Sequence, residues 1–492
     1  MENSYAGTKY KDMKNGTHRL SKARSYLLSA FCLLLTVSFA PAQTTRPQAA
    51  VSVQDFQNVI ARQAALVSEF DVNGLKVLVK RREGSLTVAA GLFIRGGSEN
   101  LTPQNAGVEA FMLNVASEAS ANYPRERMRK EMSRMGTVIG EGANYDYSVL
   151  SMTSTRPNFD RSWDIFVDAA LHPSFTKEDV ARVQSQILAA LSNDTDEPDS
   201  YLQRLQDRVA YTGHPYLNNP EGTAESISHL TVEDLRAYHQ KIMQTSRLLL
   251  VIVGDLDAAQ LKLRIAASFG KVPRGDYKPQ APPPLSFTAS TVEVTSRELP
   301  TNYVQGLFTA PPLTSLDIYP MRVAASLLRD RVFEEVRVKR NLSYAPNAFL
   351  NSQGANVGGI YVTAVDANQA VRVMLDEIAL LQRGQTHRFD PETERMGLRP
   401  IQQDDINAQV AVFLTTYYIG QETNSAQAGE LAQYELIGGG WRNSLAFLER
   451  LRTVTPAEVQ RVAQKYMRNI RFVVLGNPSQ IDKTIFTGQP GN

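Results

Sequence analysis

The chain writes the same short passage twice, 224 residues apart. Leu230-Thr231-Val232-Glu233-Asp234-Leu235, followed by Lys241-Ile242-Met243 and Arg247-Leu248-Leu249-Leu250, is answered by Val454-Thr455-Pro456-Ala457-Glu458-Val459, Lys465-Tyr466-Met467 and Arg471-Phe472-Val473-Val474. Each copy predicts a helix capped by Thr231 or Thr455, then an apolar strand ending in a glycine turn. A constant offset over some 20 residues points to duplication, so the chain is expected to fold as two related halves. Its 492 residues are also too many for one ordinary core. Lys278-Pro279-Gln280-Ala281-Pro282-Pro283-Pro284 reads as an extended linker. This places the halves at 66–272 and 290–485, with the linker at 273–289 and a short N-terminal segment at 43–65.

The first 42 residues read differently. Lys9, Lys11, Lys14, Arg19, Lys22 and Arg24 precede the apolar run from Tyr26 to Phe39, and Ala40-Pro41-Ala42 fits a small-x-small cleavage site. Residues 1–42 are therefore expected to be a secretory signal peptide, and the run is shorter than the roughly 20 residues a membrane span needs. The mature chain is expected in the periplasm or secreted. The single cysteine, Cys32, lies inside that run, which leaves neither disulfides nor a thiol nucleophile afterwards. Removal of the segment leaves 46 Lys and Arg against 48 Asp and Glu, so charge gives no reason to expect nucleic acid or an anionic membrane as partner. No later apolar run is long enough to span a bilayer.

A strand-like run from Leu86 to Arg95 and a turn at Gly96-Gly97-Ser98 lead into Gly107-Val108-Glu109-Ala110-Phe111-Met112-Leu113-Asn114-Val115-Ala116-Ser117-Glu118-Ala119. Val108, Phe111, Met112 and Val115 recur at helical spacing and predict a buried helix. Further on, His214-Pro215-Tyr216, Gly222-Thr223, Ser226-Ile227 and Leu230 to Leu235 run up to a strand at 248–253 and Gly254-Asp255. Together with the turn and strand at Asn73-Gly74-Leu75-Lys76-Val77-Leu78-Val79, this ordered set resembles the insulinase/pitrilysin metallopeptidases over about 66–485. In that family the helix after the glycine turn bears His-x-x-Glu-His. Two His at i and i+4 bind zinc, and the Glu activates water. The corresponding positions here are Ala110, Leu113 and Asn114. The family's further Glu ligand falls in Gln186-Ile187-Leu188-Ala189-Ala190-Leu191, at Ala190. The resemblance thus implies no metal or cofactor in this chain, with zinc expected in a partner chain.

One feature of the family's chemistry is retained. Its second half carries an Arg at a helix end and a Tyr seven residues later, which hydrogen-bond the substrate and steady the oxyanion across the chamber. Arg337 and Tyr344 match that pair, whereas Ala324-Ala325-Ser326-Leu327-Leu328 departs from the usual Gly-rich turn before the helix. A guanidinium and a phenol are suitable donors to developing negative charge. The bland alternative is a helix-end Arg beside a packing Tyr.

Other candidates fall away. Of His172, His214, His229, His239 and His387, no two are three or four apart. His229 and Glu233 flank the Thr231 cap and read as a solvated helix start, and Gly438-Gly439-Gly440-Trp441 lacks the Lys-Ser/Thr of a phosphate loop and reads as a connector.

The expected class is α+β: two homologous halves, each of two similar α/β-roll domains with antiparallel-rich sheets. The resemblance implies that they form a clam-like chamber. It further implies a non-catalytic subunit of an exported two-chain zinc metalloendopeptidase, as in mitochondrial processing peptidase. Its partner would be a zinc-bearing insulinase-family chain in a heterodimer, acting on a peptide substrate. The alternative is a peptide-binding or scaffold protein that kept the fold without peptidase work.

Overall fold

The computed structural model describes residues 53–390 and 395–488, and the segment read as a signal peptide lies outside them. The first half is organised by β1 Val67–Val72, β2 Leu75–Arg81, β3 Thr87–Arg95, β4 Val138–Ala143, β5 Tyr147–Thr155 and β6 Leu248–Gly254, in the order β1-β2-β6-β3-β5-β4. The second is organised by β7 Thr291–Ser296, β8 Asn302–Thr309, β9 Asn347–Leu350 and β10 Val357–Ala364, closed by a strand near the C-terminus. A separate hairpin, β11 Gln385–Asp390 with β12 Arg395–Pro400, stands apart from this sheet. That closing strand is β13 Arg471–Gly476, and the order is β7-β13-β8-β10-β9.

Without β1 the two sheets have the same plan. β2 pairs with β6 in parallel, as β7 does with β13, and the remaining pairings in both sheets are antiparallel. The Thr caps predicted from the repeat are both present. Thr231 and Asp234 form a reciprocal capping box on helix Val232–Ile242, and Thr455 with Glu458 does so on Pro456–Tyr466. The antiparallel-rich α+β architecture agrees with the sequence reading. The expected pair of domains within each half is corrected: among the described residues each half has one main sheet and one helix-covered core.

The physical reason lies in how the other face of each sheet is covered. All seven residues of β6 are buried. Leu248, Leu250 and Ile252 enter the first-half core, while Leu249, Val251 and Val253 point the other way. There they meet Ala428, Leu431 and Ala432 of helix Asn424–Ile437, together with Trp441, all from the second half. The second sheet shows the converse. Phe472 and Val474 face its own core, and Val473 and Leu475 face Leu202, Leu205 and Val209 of helix Pro198–Ala210, from the first half. Each half therefore lends a helix to the other's sheet, and a second sheet is unnecessary. A strand buried on both faces loses the usual polar alternation, which explains the unbroken apolar run from Leu248 to Val253.

Polar groups fasten the exchange at the edges. Arg82 donates to the Glu422 carbonyl at 2.6 Å and to Asn424 Oδ1 at 2.9 Å, and Asn424 donates back to the Thr87 carbonyl at 2.7 Å. Arg471 donates to the Val209 carbonyl at 2.7 Å, and Gln206 to the Arg471 carbonyl at 3.1 Å. Glu69 accepts from the Trp441 indole at 2.9 Å and pairs with Lys76 at 3.0 Å and Arg442 at 3.1 Å, while Lys76 reaches Glu435 at 2.7 Å. The Trp441 hydrogen bond, with help from Lys76 and Arg442, holds the Glu69 carboxyl down at about 2.

Trp441→Ala should cost about 3–5 kcal/mol of unfolding free energy, as removal of a fully buried indole does, measured by urea denaturation. Because the Glu69 carboxyl is depressed from 4.5 to about 2, its contribution is complete above 4.5 and is lost as pH falls toward 2. Thermal melts of the wild type should therefore decline more steeply across that window than those of Glu69→Gln.

Candidate functional site

Helix Val108–Glu118 follows β3 as the sequence predicts, and Val108, Phe111, Met112 and Val115 are buried in the first-half core. Its start is pinned by a close glycine contact. Gly107 has φ 84°, and a Cβ on it would lie 2.6 Å from the Gly222 Cα, so the helix N-terminus sits directly on the 222–227 segment. Glu109 is anchored inward: Tyr238 donates to it at 2.8 Å and Arg247 pairs with it at 3.3 Å, with burial pushing its carboxyl up. This buried triad ties the helix to Val232–Ile242 and to the foot of β6, and no local spacing announces it.

The four positions matching the family's zinc groups now have surroundings. Leu113 is packed in the core, Ala110 and Asn114 are half-buried, and Ala190 is exposed on helix Lys177–Asp196. Asn114 donates to Glu141 of β4 at 3.3 Å. Burial, reinforced by the negative charge of Glu221, pushes the Glu141 carboxyl up. A methyl, an isobutyl and a second methyl provide no ligand atoms, and an amide oxygen is a poor substitute for imidazole at a zinc centre. Zinc does not fit this donor set.

Arg337 and Tyr344 are brought together. The last turn of helix Ile318–Val332 widens into a π-helical segment, Phe333–Val338, in which the Lys339 N–H reaches the Glu334 carbonyl at 2.9 Å. The chain then reverses through Asn341, at φ 49°, before β9 begins at Asn347. The Arg337 guanidinium lies 4.2 Å from the centroid of the Tyr344 ring and 5.0 Å from that of Phe333. It is a cation held between two rings. Tyr344 is 78% exposed and Phe333 is 42% exposed. Among the described residues no carboxylate pairs with Arg337, and no hydrogen bond or ion pair joins either residue to helix 108–118.

A network missed by the sequence reading supports this segment. Glu335, two residues before Arg337, accepts from Lys339 at 2.5 Å and from Arg340 at 2.5 Å. His387 of β11 lies 2.8 Å from Glu377 and 3.6 Å from Glu335. These three are the one group among the described residues close enough to share a metal ion. Two cations already sit on Glu335, however. Arg331 lies in the same electrostatic neighbourhood, where burial draws its guanidinium down to about 10, still protonated at neutral pH. The group is thus a charge-compensated brace between the π-turn, helix Ala367–Gln382 and the hairpin. Glu335 lies 42 and 52 residues before Glu377 and His387, so no local spacing could announce the group.

Comparison with known proteins places the fold in a family. Residues 76–223 match the model for Insulinase (Peptidase family M16), and 229–391 match that for the Peptidase M16 inactive domain. The chain belongs to the insulinase, or M16, family. It is 22% identical over 424 residues to mitochondrial-processing peptidase subunit beta of Blastocladiella emersonii, covering 82% of this chain and 87% of that protein. It is 25% identical over 266 residues to cytochrome b-c1 complex subunit 1 of Bos taurus, covering 53% and 55% respectively. The crystal structure of a protease from Helicobacter pylori shares the fold with a TM-score of 0.75 at 16% identity, over 83% of this chain and 99% of that one.

Restoring the motif by Ala110→His, Leu113→Glu and Asn114→His should give weak zinc binding and no robust peptidase activity, because Ala190 leaves the metal a ligand short. The triple variant should also melt lower, since Leu113 exchanges a packed side chain for a buried carboxylate. Metal analysis after chelator-free purification and a melting curve check both statements, and the unaltered chain should carry no stoichiometric zinc.

Proposed function

We propose that this protein is the non-catalytic subunit of an exported two-chain zinc metalloendopeptidase. In this reading it shapes the peptide chamber and presents Arg337 and Tyr344 to the active site of a zinc-bearing insulinase-family partner. The observation that carries the proposal is the Arg337 stack. A guanidinium without a carboxylate partner among the described residues rests on a largely exposed tyrosine, and both are aimed by a π-turn. Purely structural arginines tend to be matched with acids. This one keeps its N–H donors available, and π-turns of this kind recur at functional sites. The degenerate zinc positions support the same division of labour, since the chain offers donors for a transition state but neither metal nor base. Two relatives are named as subunits, one of a processing peptidase and one of the cytochrome b-c1 complex, which supports a role inside an assembly. No helix among the described residues is long and apolar enough to cross a membrane. The signal-like segment at 1–42 supports export of the chain to the periplasm or beyond.

Water attack on a peptide carbonyl bound in the partner would build negative charge on the carbonyl oxygen. Arg337 and the Tyr344 hydroxyl would donate to that oxygen or to the neighbouring substrate backbone. In the assembled pair, Arg337→Ala or Tyr344→Phe should lower kcat on the order of a hundredfold while size exclusion shows the complex intact. Contacts made equally in the ground and transition states would instead raise KM. Unchanged kinetics in both variants would reject the catalytic role and favour the scaffold reading.

A further inference from the structure

Helix Gln403–Gly420 has an apolar surface on the side that the chain leaves in water. Its inner residues Ile406, Val410, Phe413, Leu414 and Tyr417 join or pack against the second-half core. The outer face carries Ala411, Val412, Thr415, Tyr418 and Ile419, of which Val412, Tyr418 and Ile419 are 49%, 63% and 61% exposed. No charged residue occurs from 406 to 421. A surface helix normally turns a polar face outward, and contiguous exposed apolar area marks a contact surface.

The duplication supplies an internal control. Helix Lys177–Asp196 occupies the matching place in the first half, immediately before the exchanged helix, and starts 226 residues earlier. At that offset its outward positions are Ser185, Gln186, Ala189, Ser192 and Asn193, all exposed. The fold therefore accepts polar residues at this face, and its own packing does not demand Val412, Tyr418 and Ile419.

Charge narrows the occupant. The uncharged stretch is bracketed by the exposed acids Asp404 and Glu422, whereas Asp405 is already held by Arg399 at 2.6 Å. Two copies of the helix laid antiparallel would bring Asp404 against Glu422 at both ends, and like charges so placed disfavour the contact. The complementary surface is apolar in its middle and basic at its two ends.

We propose that the partner subunit covers the Ala411–Ile419 face with an apolar segment flanked by Lys or Arg. This rests on the reading of the chain as one subunit of a two-chain peptidase. The test uses the full mature chain co-expressed with the exported insulinase-family chain of the same genome that retains His-x-x-Glu-His. Val412→Lys combined with Ile419→Lys should weaken pairing by about a hundredfold or more, as loss of central apolar contacts does, while the melting temperature of the lone chain stays unchanged. Hydrogen exchange across 408–420 should slow only in the complex, and Asp404→Lys with Glu422→Lys should weaken pairing by about tenfold. Arg337→Ala should pair normally, which separates this surface from the catalytic role. Wild-type affinity in the apolar double variant overturns the proposal and leaves the subunit reading intact. So does protection that appears only when unfolded casein is added, or in the lone chain as its concentration rises. Failure of the unaltered chains to pair overturns both.

Discussion

The two-way loan of helices between the halves is the constraint on which the rest of this molecule depends. Neither sheet could stay in water as it stands, because Leu249, Val251 and Val253 of one, and Val473 and Leu475 of the other, present apolar side chains away from their own cores. Covering such side chains stabilises a fold by about 1.5–3 kcal/mol each, and each half can do this only with the other in place. Arg82 with Asn424, and Glu69 with Trp441, then set the register at the edges, where their hydrogen bonds are directional and the apolar contact is not. Two halves tied in this way behave as one framework. The π-turn that holds Arg337 is consequently positioned by a body much larger than its own helix.

Within that framework the helix at 108–118 takes its stability from apolar packing and a buried polar triad. Val108, Phe111, Met112 and Val115 bury its inner face, Gly107 fits against Gly222, and Glu109 is held by Tyr238 and Arg247. The residues that would have gripped zinc stand on the less buried side, where Ala110 and Asn114 substitute without disturbing the core. On the second half the emphasis is reversed. Glu335, Glu377 and His387, together with Lys339 and Arg340, hold an irregular turn that sets the half-buried Arg337 against two aromatic rings.

The sequence by itself determined the elements and their repetition. The 224-residue offset and the Thr caps stated that one unit was used twice. Helical periodicity placed the 108–118 helix, and the family resemblance, carried onto Ala110, Leu113, Asn114 and Ala190, implied a site without zinc-binding side chains. These are properties of neighbouring residues, legible because capping and periodicity act over a few positions. The tertiary structure alone decided that each half has one sheet and that Pro198–Ala210 and Asn424–Ile437 change sides. It also decided that Trp441, read as part of a connector, is buried between the halves, and that His387 braces the distant turn that begins at Phe333. The unbroken apolar run of β6 announced burial on both faces but not what would cover them. A covering helix contributes through area and shape, and those become defined only when segments hundreds of residues apart pack together.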